Sequence, residues 1–225
     1  MTQLTSGLSK KIKKAANIIE KALKNWECGV ACSFGKDSIA LLHLVWQKRP
    51  SIPVLFVDTT VKFQQTYVFA ERMRSHWNLN LKTIRTEWHE EVWEHDKVAC
   101  CRMLKVDPFN ALISELGLDA VMVAIRRDEH PARSKAKYFD HLGSVTHIHK
   151  IEFSHWRVHP LLDWTERDVW AYVTENSLPY NPLYDQGYRS IGCEPCTRPS
   201  SDTERSGREQ DKELVLDRLR KLGYF

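Results

Sequence analysis

At 225 residues the chain has room for one domain, or one domain with a small appendage, around a sizeable core. With 42% hydrophobic and 28% charged residues it falls outside the disordered class, and no apolar run reaches the length of a membrane span. Its net charge of +4 suits an anionic small substrate as well as RNA and selects neither. The first seven residues lack an apolar signal core, so the expected location is the cytoplasm.

Leu8, Ile12, Ala15, Ala16, Ile19, Ala22 and Leu23 recur at helical spacing, with lysines on the other face. A strand over residues 29–32 runs into the turn Ser33-Phe34-Gly35-Lys36-Asp37-Ser38, and an amphipathic helix follows as far as about Gln47. A second strand, 52–57, ends in Asp58-Thr59-Thr60. A helix carrying Phe63, Tyr67, Ala70 and Met73 and a third strand, 79–84, come next. Residues 87–97 are rich in Trp, His and Glu. The spacing then predicts one helix from Val98 past Pro108 to about Leu116, capped by Gly117. A fourth strand, 119–125, ends in Arg126-Arg127-Asp128-Glu129, with Arg133-Ser134 close behind. Residues 146–151 and 156–160 read as a strand or hairpin. Thr165 with Asp168 three residues on marks a helix start, and residues 209–222 read as a helical tail.

Strands alternating with helices predict an α/β fold, a parallel twisted sheet with helices on both faces. In such sheets ligands bind beyond the carboxyl ends of the strands. Three polar sequences fall there: Ser33 to Ser38, Asp58 to Thr60, and Arg126 to Glu129. The first is expected to seat a phosphate on the helix N-terminus. Gly35 admits close approach, Ser33 and Ser38 add hydroxyls, and Lys36 adds a mobile cation. It is not a Walker A sequence, which needs two glycines flanking four residues. The pattern S-x-G-K-D-S resembles the PP-loop of ATP pyrophosphatases and their relatives, an adenine nucleotide alpha hydrolase-like fold. The whole of residues 1–225 is expected to form one PP-loop nucleotide-binding domain, with an N-terminal helix within 1–27 and a cluster-binding and tail segment at 193–225.

Six cysteines fall in pairs: Cys28 with Cys32, Cys100 with Cys101, and Cys193-x-x-Cys196. In a reducing compartment such pairs point to metal or redox chemistry rather than structural disulfides. The last two pairs supply four thiolates. A [4Fe–4S] cubane offers four iron corners and tolerates the adjacent Cys100-Cys101 pair better than one zinc ion does; buried unligated cysteines are the third reading.

Cys100-Cys101-Arg102-Met103-Leu104-Lys105-Val106, together with residues 180–199 ending Gly192-Cys193-Glu194-Pro195-Cys196-Thr197-Arg198-Pro199, closely resembles the iron–sulfur adenylyl-sulfate (APS) reductases of the sulfonucleotide (APS/PAPS) reductase family. The resemblance implies an oxidoreductase of assimilatory sulfate reduction. It implies that Cys100, Cys101, Cys193 and Cys196 ligate a [4Fe–4S] cluster beside the substrate's sulfate. Lys105 would contact substrate, and Arg205 and Arg208 of Glu204-Arg205-Ser206-Gly207-Arg208 would hold phosphate and sulfate groups. Asp58-Thr59-Thr60 is similar to the family's nucleotide segment, whose third position is usually Gly. Arg126, Arg127, Asp128 and Arg133 match its arginine-rich loop, and this middle portion also resembles ATP sulfurylase small subunits.

The sequence departs from the family at two places. The reductases usually carry their nucleophilic cysteine in a C-terminal tail, and no cysteine follows Cys196. The remaining Cys28 and Cys32 are expected to be buried, so the nucleophile is Cys32 or is supplied by a partner. The second departure is the intact Lys36-Asp37-Ser38 run, which fits ATP with Mg²⁺. The alternative reading is therefore an ATP-dependent adenylyl-transfer enzyme, sulfate adenylyltransferase-like or thiolase-like; a cluster-bearing nucleotide sensor is a third. The partners expected are adenylyl sulfate or ATP and thioredoxin or another thiol donor. The expected assembly is a homo-oligomer or a complex with a second subunit. An RNA substrate is not favoured, and no membrane partner is expected.

Overall fold

The computed structural model describes residues 6–146 and 152–224. Helix α1 (Ser6–Asn25) leads into β1 (Cys28–Ala31), α2 (Lys36–Trp46), β2 (Pro53–Asp58), α3 (Gln64–His76) and β3 (Asn80–Arg85). Two short helices, α4 (Glu90–His95) and α5 (Lys97–Cys101), precede α6 (Asp107–Glu115) and β4 (Ala120–Met122). Then come β5 (Phe139–Thr146), β6 (Glu152–Val158), α7 (Glu166–Glu175), α8 (Gln210–Leu214) and α9 (Leu216–Lys221). The six strands form one sheet in the order β3-β2-β1-β4-β6-β5. All neighbours pair in parallel except β5, which runs antiparallel along β6 as an edge strand.

Period-two alternation assigns the two faces. Val54, Phe56, Ala120 and Met122 point into the large core shared with α1, α2, α3 and α7. Leu55 and Val121 point the other way and join Leu112 and Ile113 of α6. A Cβ on Gly29 would lie 2.7 Å from a Leu55 methyl and 2.8 Å from a Leu118 methyl, so a larger residue at this crowded position would displace both leucine side chains. Thr165 and Asp168 form the expected reciprocal capping box on α7. Gly117 ends α6 at φ +60, in the left-handed region that glycine adopts freely.

Three features differ from the sequence expectation. The helix predicted over 98–116 is interrupted by a π-helical segment, Arg102–Val106, where the N–H of Asp107 reaches back to the carbonyl of Arg102. Pro108, which has no N–H to return to the preceding turn, follows directly. The tail helix is split at Val215 into α8 and α9. Strand β5 was not anticipated, because its alternation is broken by a register shift between Leu142 and Val145, around Gly143. Of the strand expected at 146–151, residues 147–151 lie outside the described residues.

Candidate active site

A cavity of about 260 Å³ opens beyond the carboxyl ends of β1, β2 and β4. Ser33 and residues 35–38 line one end of it; Lys62, Lys105 and Arg208 line it towards the cysteines.

The turn after β1 is held by Phe34, whose backbone takes φ 61. Its ring is fully buried, edge-on to Phe56 and Phe69, which anchors a conformation costly for a bulky residue. Gly35 caps α2 without a side-chain bond, and the N–H of Lys36 donates instead to the Tyr184 hydroxyl at 2.8 Å. Ser38 donates to the Gly35 carbonyl at 2.9 Å, and Ser33 lies 3.4 Å from Ser38.

Lys36 is not the mobile cation the sequence suggested. It is 1% exposed; its ammonium meets the Glu204 carboxylate and lies 3.3 Å from Asp37 and 3.2 Å from the Arg189 carbonyl. Burial pushes this ammonium down, but Asp37, Tyr184 and Glu204 outweigh it and hold it charged. Arg126 is fully buried and donates to Asp37, Asp128 and Glu204. Burial pushes the Glu204 carboxyl above the usual range, reinforced by Asp37 and opposed by Lys36 and Arg126. Beside this network Glu129 pairs with Arg133 and with Arg205, and Arg205 reaches Glu213 at 2.6 Å.

At the other pole all four paired cysteines are buried, and none is in a disulfide. Cys100 and Cys101 end α5. The π segment that follows carries Lys105, which lines the cavity. Cys193 and Cys196 flank a 3-10 turn; Trp93 donates its indole N–H to the Cys196 sulfur at 3.2 Å, and the Thr59 hydroxyl lies 3.3 Å from the Cys193 sulfur. Burial pushes the Cys100 thiol up to about 12, with Cys101, Cys193 and Cys196 adding to it, as four thiols in one neighbourhood must. Burial also raises the Cys193 thiol, but the ammonium groups of Lys105, Lys62 and Lys212 reverse this and bring it to about 6. Lys212 is fully buried with no hydrogen-bond partner for its ammonium, 5.3 Å over the Tyr224 ring. Arg208, 6% exposed, makes no ion pair among the described residues, and its Nε has no hydrogen-bond partner. A Cβ on Gly192 would collide with its guanidinium, so this glycine makes room for the arginine.

The structure therefore brings Cys32, Ser33, Gly35, Lys36, Asp37, Ser38, Lys105, Arg133, Arg205 and Arg208 to one cavity. It does not bring Arg127, which pairs with Asp163 and the Ala136 carbonyl. Asp58 accepts from Tyr67 at 2.7 Å and Asp128 holds Arg126, so both act through neighbours. Thr59 serves the cysteine pole rather than the nucleotide. Sequence reasoning missed Lys62, Tyr184, Lys212 and Tyr224; the first sits two residues past Thr60 and Tyr184 lies within the block before Cys193, but nothing in the tail marked the last two.

The family described as phosphoadenosine phosphosulfate reductase domain matches residues 27–199. An adenosine 5'-phosphosulfate reductase of Lysinibacillus sphaericus is 36% identical over 192 residues, covering 80% of this chain and 78% of its own. Adenosine 5'-phosphosulfate reductase 1 of Bacillus subtilis is 36% identical over 191 residues, covering 79% and 77%. The crystal structure of a phosphoadenylyl-sulfate reductase from Candida auris superposes with a TM-score of 0.66 at 23% identity, over 87% of this chain and 98% of its own, a likeness of fold.

Proposed function

Because the chain belongs to the phosphoadenosine phosphosulfate reductase family, a family of oxidoreductases, we propose that it reduces adenylyl sulfate to sulfite and AMP in sulfate assimilation. The observation that carries this reading is a cavity lined at one end by the turn after β1 and at the other by Lys62, Lys105 and Arg208, with four buried thiols close to these cations. We read the whole chain as one PP-loop domain, in which the segment from Cys193 onward completes the cavity. Among the described residues no helix is long and apolar enough to cross a membrane, and this reading places the protein in the cytoplasm.

Cys100, Cys101, Cys193 and Cys196 would hold a [4Fe–4S] cluster. The donor set fits: four buried thiols from two segments, with Lys62, Lys105 and Lys212 to balance a dianionic centre. Among the described residues no three Cys, His, Asp or Glu side chains form a group that could hold a metal ion. Bound to these four cysteines, an iron–sulfur cluster would join the two cysteine segments and supply an iron–sulfur centre near the Lys105 and Arg208 end of the cavity.

In this mechanism the Ser33–Ser38 end takes the nucleotide, and Arg208, whose Nε has no hydrogen-bond partner, and the cavity-lining Lys105 take the sulfate oxygens. A donor thiolate attacks the sulfur, the bond to the phosphate oxygen breaks, and AMP leaves. A second donor thiol then displaces sulfite and forms a disulfide, so sulfur gains the two electrons that the thiols lose. We assign the attack to a dithiol donor such as thioredoxin, because Cys28 and Cys32 are buried and their thiols are pushed by burial up to about 12 and about 11. The two adenosine 5'-phosphosulfate reductases at 36% identity favour this reading over the ATP-using one.

Calorimetric titration of anaerobically purified, cluster-loaded protein tests the binding half. Adenylyl sulfate is expected to bind at least about tenfold tighter than AMP, since charged hydrogen bonds contribute about 1.5–3 kcal/mol. Arg208→Ala should erase that advantage. Equal binding of the two nucleotides by the wild type would remove the assignment.

A further inference from the structure

The Lys36 turn carries the glycine, hydroxyls and ammonium that suit a pyrophosphate, yet two of its donors, the Lys36 N–H and the Lys36 ammonium, are already satisfied by the protein. The first free N–H of α2, that of Lys36, ends on the Tyr184 hydroxyl. The same hydroxyl stands over Gly35, where an added Cβ would lie 3.2 Å from it. The Lys36 ammonium is closed off by Glu204 and Asp37, with Glu166 at 3.9 Å. Arg126, the other buried cation here, is spent on Asp37, Asp128 and Glu204. A pyrophosphate entering this end meets carboxylates at close range in a buried setting, where like charges repel strongly. At the opposite end Arg208 makes no ion pair among the described residues and lines the cavity.

We propose that Glu204 and Tyr184 are specificity determinants: with a carboxylate on the Lys36 ammonium and a phenol on the Lys36 N–H, they take the two donors that a pyrophosphate seated on this turn would need. The site thereby accepts a nucleotide with one phosphate and rejects nucleoside triphosphates, although the Lys36-Asp37-Ser38 run is intact. This rests on the reading of the chain as an adenylyl sulfate reductase and adds the residues that exclude the commonest competing adenine nucleotide. Glu204 sits beside Arg205 in sequence, so one segment both closes the pyrophosphate end and contributes Arg205 and Arg208 to the cavity.

The test is calorimetric binding of AMP, ATP and inorganic pyrophosphate to the cluster-loaded protein, for the wild type, Glu204→Gln, Tyr184→Phe and the double variant. The wild type is expected to bind AMP at least about tenfold tighter than ATP and to give no measurable heat with pyrophosphate. Glu204→Gln, which keeps the shape and drops the charge, should tighten pyrophosphate and ATP by about tenfold or more, with the AMP affinity within about threefold; the double variant should gain at least as much. Wild-type protein that binds ATP as tightly as AMP overturns the inference and needs no variant to do so. A folded double variant that gains no affinity for pyrophosphate also overturns it. Sulfite release from adenylyl sulfate, assayed on the same preparation, separates failure of this inference from failure of the reductase reading.

Discussion

Arg126→Met removes the centre of the ion network while keeping most of the side-chain volume. The guanidinium is 0% exposed and donates to Asp128 at 2.7 Å as well as to Asp37 and Glu204. Its loss leaves Lys36 to balance Asp37 and Glu204, both largely buried. Breaking a buried pair from one side costs about 3–5 kcal/mol, because the remaining charge stays without its partner. For a chain of this size that lowers the melting temperature by roughly 10 °C. The deficit carries a pH signature. Burial already holds the Glu204 carboxyl above its ordinary range, with Lys36 and Arg126 among the groups holding it down. Without Arg126 it rises further, so the folded state takes up a proton at a higher pH than the unfolded chain does. A group raised in the folded state adds stability as pH falls through its folded value, so the deficit should shrink between pH 7 and pH 5. Urea unfolding of both proteins across that range measures it. A loss below about 1 kcal/mol at pH 7, or a deficit that grows on acidification, would refute the reasoning.

Three further outcomes are expected. Thr60 sits at φ 60, where the family usually carries Gly, so Thr60→Gly should be neutral or stabilise by up to about 1 kcal/mol in denaturant melts, strain relief exceeding the added chain entropy; a loss of that size would contradict the assignment of strain. Cys193→Ser should abolish the broad visible absorption of anaerobically purified protein, and an unchanged spectrum would remove it from the ligand set. Cys32→Ser should keep thiol-dependent turnover within about threefold, since its thiol is buried and pushed up to about 11; complete loss in a folded variant would make Cys32 the nucleophile.

The parallel core strands and the three polar loops beyond them were legible because period-two alternation and turn residues are local signals. Strand β5 was not, because the shift around Gly143 breaks the alternation that marks a strand. The π segment was hidden because the helical spacing runs on from Val98 past Pro108, and one widened turn leaves no period of its own in the sequence. The four cysteines and Lys105 were legible through their motif, but Lys62, Lys212 and Tyr224 were not: the last two come from a tail whose pattern is that of any charged helix. The largest difference concerns Lys36. Its partner Glu204 lies 168 positions away, and no window of sequence shows that a carboxylate closes the turn. The motif was read correctly as a loop, and only the fold reveals that the Lys36 N–H and ammonium are already occupied.

The central claim is tested most directly by sulfite release from adenylyl sulfate, using anaerobically purified, cluster-loaded protein and reduced thioredoxin. Sulfite and AMP should appear in equal amounts, with one donor disulfide per sulfite. Absence of sulfite from protein that demonstrably binds adenylyl sulfate and holds its cluster would contradict the account.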